Sequence, residues 1–461
     1  MGISLGLIVL AVSSGALRAI HQLVTEEAYL RPCRVAGCRI GSQASAAAPV
    51  FGPRVQPKSI KTLMFASNLR PISLLLASSL LLTACGGGSD VPNTAFFGTV
   101  ASVPPGSAAP PTDVAPPQNE PPVAELPPPA TEPKHLFFEP RDFDLQAHRG
   151  GLGLVSENTI ASFTNALKMG VTTLELDAQI TADGVAVVTH DRKTTAQKCK
   201  DTAPASAGDP LYPYVGRYIK DLTLAQVKTL DCGSLRLAAY PNQQLDPGAQ
   251  MPTLREVFQL VNSYDAKNVM LNVETKVEAG SPTQTAPREQ FVQIVVDEVR
   301  RARLLNQVTI QSFDWGALML VRKTEPGIPI VALTNGQQFL QAGLPGASPW
   351  LGGIDIDDFG GDLVKAAKSF GADAISPVHG DPQNGKVGDA NYVPYTTPAM
   401  VAQAHEAGMK VIVWTVADAA TMTALMDAKV DGIITDLPDV LRSVMQQRGL
   451  RLPAAVTKRD I

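Results

Sequence analysis

Hydrophobic and polar positions change their rhythm at about residue 140 of the chain. Beyond it, short β-type runs at 144–147, 172–177, 268–274, 308–312, 328–333, 372–376, 411–416 and 432–435 alternate with stretches of helical period. The helical patterns fall at 159–169, 254–264, 288–304, 318–324, 363–370, 397–407, 419–428 and 440–447. In the first of them Ile160, Phe163, Ala166 and Leu167 share one face. Eight strands alternating with helices predict an α/β fold, an (α/β)8 TIM-type barrel. One apolar run, 185–189, breaks the alternation. Only a few residues and the turn signal Asp183-Gly184 separate it from the second strand, too few for a parallel crossover. The segment 178–189 is therefore expected to be an antiparallel hairpin excursion that returns His190 beside Glu175 and Asp177. Residues 191–251 then form an insertion over the barrel mouth.

Upstream of residue 140 the pattern excludes a packed core. Segment 86–139 is a tether, opening on Gly86-Gly87-Gly88-Ser89 and continuing as a Pro, Ala and acidic tract that stays extended. Segment 64–85 holds Arg70, a short Leu-rich run and Leu82-Thr83-Ala84-Cys85, which matches a lipoprotein signal peptide ending in a lipobox, with Cys85 as the lipidated residue. The run is too short to span a bilayer. The reading implies an exported protein anchored at the periplasmic face, on the outer membrane. Residues 1–63 then precede the expected start, Met64, and are taken as a non-mature extension. The domain map is completed by the barrel over 140–448 and a C-terminal tail over 449–461.

Composition adds exclusions. With 39 Lys and Arg against 43 Asp and Glu, the formal charge of -4 offers no basic bulk for nucleic acid. The five cysteines form no Cys-x-x-Cys pair, which argues against structural zinc. Export would place the chain in an oxidising compartment, where Cys199 and Cys232 of the insertion can pair as a disulfide. No obligate protein partner is indicated.

Chemistry in such barrels sits at the C-terminal strand ends. There the sequence places His148 and Arg149, Glu175 and Asp177, His190 and Asp191, Glu274 and Lys276, Phe313, Trp414 and Asp436. Residues two apart on a strand point to one side, so Glu175 with Asp177, and Glu274 with Lys276, face together. Three converging carboxylates without cysteine suit a hard divalent cation, Ca²⁺ or Mg²⁺. His148 and His190 suit proton transfer. Arg149 and Lys276 suit an anionic phosphate, although both can instead pair with the carboxylates. Phe313 and Trp414 are candidates for a substrate-facing wall. Glu157 and Asn158 are assigned to the support of the site, as is Asp191. Asp436 is expected to cap the last helix, and His379 and His405 are expected to be ordinary surface residues.

The ordered set His148-Arg149-Gly150, Glu157-Asn158-Thr159, Glu175-Leu176-Asp177, Asp183-Gly184, His190-Asp191, Glu274-x-Lys276, Ser312-Phe313, Trp414-Thr415-Val416 and Asp431 to Pro438 resembles the glycerophosphodiester phosphodiesterase family, in its exported lipoprotein form. The resemblance implies a distorted barrel and a divalent cation on the residues matching Glu175, Asp177 and Glu274. It implies His148 and His190 as acid and base, and a glycerophosphodiester cleaved to glycerol 3-phosphate and an alcohol. In that family the substrate's own glycerol hydroxyl attacks phosphorus, and water then opens the cyclic product. A lysophospholipase D or sphingomyelinase D-like barrel shares the same logic and differs only in substrate. An inactive phosphodiester-binding lipoprotein would have no need of a complete histidine pair.

Overall fold

The computed structural model describes residues 143–458. The segments expected to be a leader ending at Cys85 and a tether lie outside the described residues. The strands are β1 (Asp144–Ala147), β2 (Thr173–Ile180), the short β3 (Ala186–Val188), β4 (Met270–Thr275), β5 (Val308–Ser312), β6 (Ile330–Thr334), β7 (Ala374–Pro377), the two-residue β8 (Gly380–Asp381) and β9 (Val393–Pro394), β10 (Lys410–Val413) and β11 (Gly432–Thr435). The helices are α1 (Ile160–Met169), α2 (Leu224–Val227), α3 (Leu254–Ser263), α4 (Arg288–Ala302), α5 (Trp315–Thr324), α6 (Gln337–Leu340), α7 (Leu363–Ser369), α8 (Pro398–Glu406), α9 (Ala419–Asp427) and α10 (Pro438–Gln447).

Strands β1, β11, β10, β7, β6, β5, β4 and β2 follow one another in parallel, and β2 pairs back to β1, closing an eight-stranded barrel. Strand β3 lies antiparallel on the far end of β2, with Gln179 opposite Val187. The expected hairpin is therefore present. Gly184 supplies the left-handed turn at φ +76, and Thr181 N donates to Val185 O at 3.0 Å. Strand β2 runs three residues beyond Asp177, because β3 gives it a partner past the barrel rim.

The helices form where caps and apolar stripes agree. Thr159 and Ser162 make reciprocal bonds at the start of α1, and Thr253 and Glu256 do so at α3. Helix α4 buries Phe291, Val292, Val295, Val296 and Val299 against the barrel. Each such side chain contributes about 1.5–3 kcal/mol of transfer free energy, so Val295→Asp would break the contact. Ile160 lies in the first turn of α1 and is 38% exposed, so burial of that stripe begins one turn later, at Phe163. Helix α5 starts at Trp315, earlier than periodicity suggests, because the Asp314 carboxylate accepts from Gly316 N at 3.0 Å.

The barrel interior is polar. Asn272 Nδ2 donates to Gln146 Oε1 at 2.9 Å and to Gln311 Oε1 at 2.8 Å, and Thr309 Oγ1 donates to Asn272 Oδ1 at 2.9 Å. Below them Gln146 and Thr173 both donate to Asp144, each at 2.7 Å. Above them Gln311 Nε2 donates to Glu175 Oε1 at 2.8 Å. This connected network satisfies groups that would otherwise be stranded. It carries the inward-facing alternation of β1, β2, β4 and β5 up to the mouth. The insertion has its own apolar centre at Val187, Tyr214, Ile219, Leu222, Val227, Leu230 and Met251, beside Cys199. A second excursion, β8 with β9, rises after β7; two-residue strands leave no periodic signal in a sequence. No helix among the described residues is long and apolar enough to cross a membrane.

Candidate active site

Glu175 and Asp177 stand on one side of β2, and the register sets Glu274 of β4 directly beside Asp177. All three are buried, and one oxygen from each lies within 4.8 Å of the others. Burial, reinforced by Asp177 and Glu274, pushes the Glu175 carboxyl well above its ordinary range. Burial pushes Glu274 up to about 7, against the pull of Lys276. Asp177 is buried as well, yet the charges of Arg149 and Lys276 hold it below the usual carboxylate range. Its Oδ1 has no hydrogen-bond partner. A buried, ionised carboxylate oxygen with no donor, flanked by two further carboxylates, fits a hard divalent cation.

His148 follows β1, where the chain turns sharply. Arg149 takes φ 52 and Gly150 φ +83, and a Cβ at Gly150 would run into Ser162. The turn aims Arg149 N at Glu175 Oε2, 2.9 Å away. It also sets His148 Nε2 at 4.0 Å from Glu175 and Nδ1 at 2.5 Å from Asp436 Oδ1. A carboxylate only accepts, so the nitrogen facing Asp436 carries the hydrogen. His190 follows β3, held to the barrel by Thr189 N donating to Asp177 O at 3.0 Å. Its Nδ1 lies 2.7 Å from Asp191 Oδ1. Burial, then Lys276 and Arg149, pulls the His190 imidazole well below its ordinary value. From Asp191 a chain of alternating charge runs through Lys198 (3.0 Å), Glu157 (2.8 Å) and Arg149 (3.2 Å) to Asp177 (3.2 Å). Asn158 Nδ2 donates to Asp177 Oδ2 at 3.0 Å, while Thr159 caps α1.

His148, Arg149, Glu175, His190, Glu274 and Lys276 open into a cavity of about 880 Å³, lined also by Phe313, Trp414, Tyr240 and Gln311. Phe313 and Trp414 meet edge to face at 5.3 Å, and Lys276 Nζ lies 5.7 Å from the Phe313 ring centre. Lys276 Nζ is 2.8 Å from Glu274 and 3.7 Å from Asp177. Both cations assigned to phosphate are thus seated among the carboxylates. Cys199 and Cys232 are joined, with sulfurs 2.11 Å apart. Cys85 lies outside the described residues.

Two expectations are corrected. Asp436 does not cap the last helix: α10 starts after Leu437 with no side-chain cap, and Asp436 is bound to His148 and Tyr240 instead. His379 is buried at 2% exposure, with Nδ1 3.0 Å from Tyr392 Oη and Nε2 2.8 Å from Gln383 O, and it lines the cavity. The loop between β8 and β9 folds back on it through Gln383 and Tyr392, a closure that local polarity does not reveal. His405 pairs with Asp431 at 2.8 Å on the outside, as expected of a surface residue. Sequence reasoning missed Tyr240 and Gln311. Gln311 had a signal, two residues before Phe313 on a strand; Tyr240 sits in the insertion and had none.

Comparison with known proteins agrees with this geometry. Residues 148–440 match the model of the glycerophosphoryl diester phosphodiesterase family. A glycerophosphodiester phosphodiesterase of Caldanaerobacter subterraneus subsp. tengcongensis is 28% identical over 303 residues, 66% of this chain and 98% of that protein. One from Bacillus subtilis is 34% identical over 200 residues, 42% of this chain and 59% of that protein. A solved structure from Silicibacter pomeroyi that bears the family's name superposes with a TM-score of 0.55 at 28% identity, covering 68% of this chain and 97% of its own. With a matched span that takes in both histidines and all three buried carboxylates, the chain belongs to the glycerophosphoryl diester phosphodiesterase family and is a phosphoric diester hydrolase.

Proposed function

We propose that this barrel hydrolyses glycerophosphodiesters to glycerol 3-phosphate and an alcohol, with a divalent cation, Ca²⁺ or Mg²⁺, held by Glu175, Asp177 and Glu274. The observation that carries the reading is the buried carboxylate cluster, its members within 4.8 Å, flanked by His148 and His190 in one cavity. Asp177 Oδ1, which accepts no hydrogen bond, supports a cation there. When bound, the cation supplies charge neutralisation at the phosphoryl oxygens.

The chain's own residues divide the proton transfers. His190, kept neutral by burial and by Lys276 and Arg149, takes the proton from the substrate's glycerol hydroxyl as that oxygen bonds to phosphorus. His148, whose Nδ1 hydrogen is fixed on Asp436, presents Nε2 and protonates the leaving alcohol as its bond to phosphorus breaks. Water then opens the cyclic phosphodiester with the two roles exchanged. Lys276 and Arg149 keep the site's net charge tolerable for an incoming anion, and Phe313 with Trp414 walls the apolar side of the cavity.

The same reading takes the enzyme to be exported and anchored through Cys85. The joined Cys199 and Cys232 support an oxidising compartment. The test is hydrolysis of glycerophosphocholine, glycerophosphoethanolamine and lysophosphatidylcholine, with and without chelator. Turnover of the two glycerophosphodiesters, lost with chelator and restored by Ca²⁺ or Mg²⁺, is expected. Activity on the lysophospholipid alone, or undiminished activity after exhaustive chelation, would overturn it.

A further inference from the structure

The segment 233–249 of the insertion is pinned at its root and docked at its tip. At the root Cys232 N donates to Ala249 O at 2.8 Å, Asp246 N donates to Gly233 O at 3.0 Å, and Asp231 Oδ1 accepts from Gly233 N and Gly248 N at 3.0 and 3.1 Å. At the tip Gln244 N donates to Leu154 O at 2.7 Å, and Gln244 O accepts from Ser156 N at 3.0 Å. Between these ties Tyr240 lies over Gly153, where an added Cβ would come within 3.1 Å of its ring. The Tyr240 hydroxyl donates to Asp436 Oδ2 at 2.5 Å, while Asp436 Oδ1 holds His148 Nδ1 at 2.5 Å.

We propose that Tyr240 is a positioning residue for the phosphodiester chemistry, lent by the insertion to fix the Asp436 carboxylate and, through it, the ring of His148. This rests on the reading of His148 as a proton-transfer group. A carboxylate held at one oxygen can swing about its last torsion, which is broad. Held at both, it keeps Oδ1 on the imidazole and so keeps Nε2 facing the cluster. The phenol is the donor, because a carboxylate only accepts. Burial and the Asp436 charge raise the tyrosine's pKa, so the hydrogen stays in place through the neutral range.

The perturbation is Tyr240→Phe, which keeps the ring and removes one oxygen. Its kcat is expected to fall about tenfold while KM stays within about twofold. In an Asp436→Asn background the same change is expected to do nothing further, since both act on one element. A second readout needs no substrate. The imidazole N–H resonance of His148, identified by its loss in His148→Ala, is expected to move upfield in Tyr240→Phe. An unchanged kcat, a rise in KM alone, losses that multiply in the double variant, or an unmoved resonance would overturn the proposal. If the protein proves inactive on every diester and the resonance still moves, the catalytic reading falls and the contact through Asp436 stands.

Discussion

Removing the divalent cation is expected to make the enzyme less stable as pH rises, the reverse of ordinary acid denaturation. In the cation-free protein Glu274 is pushed from 4.5 up to about 7 by burial, and Glu175 is raised in the same direction by burial and its carboxylate neighbours. A folded-state value above the unfolded one means the folded protein holds the proton more tightly. That contribution is fully present below about 4.5 and is lost as pH climbs through about 7. For Glu274 alone the rise from 4.5 to about 7 corresponds to about 3 kcal/mol. In a domain of this size that amounts to a fall in Tm on the order of 5 °C. A bound cation removes the penalty, because the carboxylates are then ionised against positive charge. The assay is thermal unfolding from pH 5 to pH 8.5 in chelator and in millimolar Ca²⁺ or Mg²⁺. The expected result is a pair of curves that diverge with pH, and Glu274→Gln should bring them together. Parallel curves, or curves that converge as pH rises, would refute both the buried-carboxylate argument and the cation site.

Three further outcomes are expected. His190→Ala is expected to lower kcat by roughly a hundredfold or more, with little change in Tm, because the side chain is one-third exposed at the cavity edge; a preserved kcat would remove His190 from the chemistry. Replacing Cys199 and Cys232 by Ser opens a link with a sequence separation of 33 and is expected to cost about 4 kcal/mol in the chain-entropy account, measured by urea unfolding; equal midpoints with and without the link would exclude it. Cys85→Ser is expected to move the enzyme from the membrane to the soluble fraction with turnover unchanged, and a wild type that is never membrane-bound would rule out the anchor.

The fold was legible because each barrel strand carries its own apolar run and each helix its own stripe, both local signals. The hairpin at 178–189 was legible for a negative reason: too little chain lies between β2 and β3 for any helix. What escaped notice is the polarity of the barrel interior. Asn272, Gln146, Gln311 and Thr309 bond to one another across three strands. Each alone reads as a break in a strand pattern, and only the closed ring makes them partners. The excursion at β8 and β9 escaped because its strands are two residues long.

The candidate site divides along the same physical line. Glu175, Asp177 and Glu274 could be assigned together because a strand fixes direction every second residue, so spacing alone puts carboxylates on one side. The groups that orient the histidines lie further away. Asp191 is the exception: it adjoins His190 in sequence, and its carboxylate lies 2.7 Å from the ring's Nδ1. Asp436 is 288 residues from His148 and stands just before a helix, where a short acidic side chain ordinarily caps. Barrel closure overrides that local preference: β11 pairs with β1, with Thr435 opposite Ala147, so the residues that follow each strand meet. The pairing of first and last strands, which the (α/β)8 topology requires, therefore implies that the residue after β11 faces the residue after β1. Asp436 could have been placed on His148 from topology before any coordinates, whereas Tyr240, carried by an irregular insertion, could not.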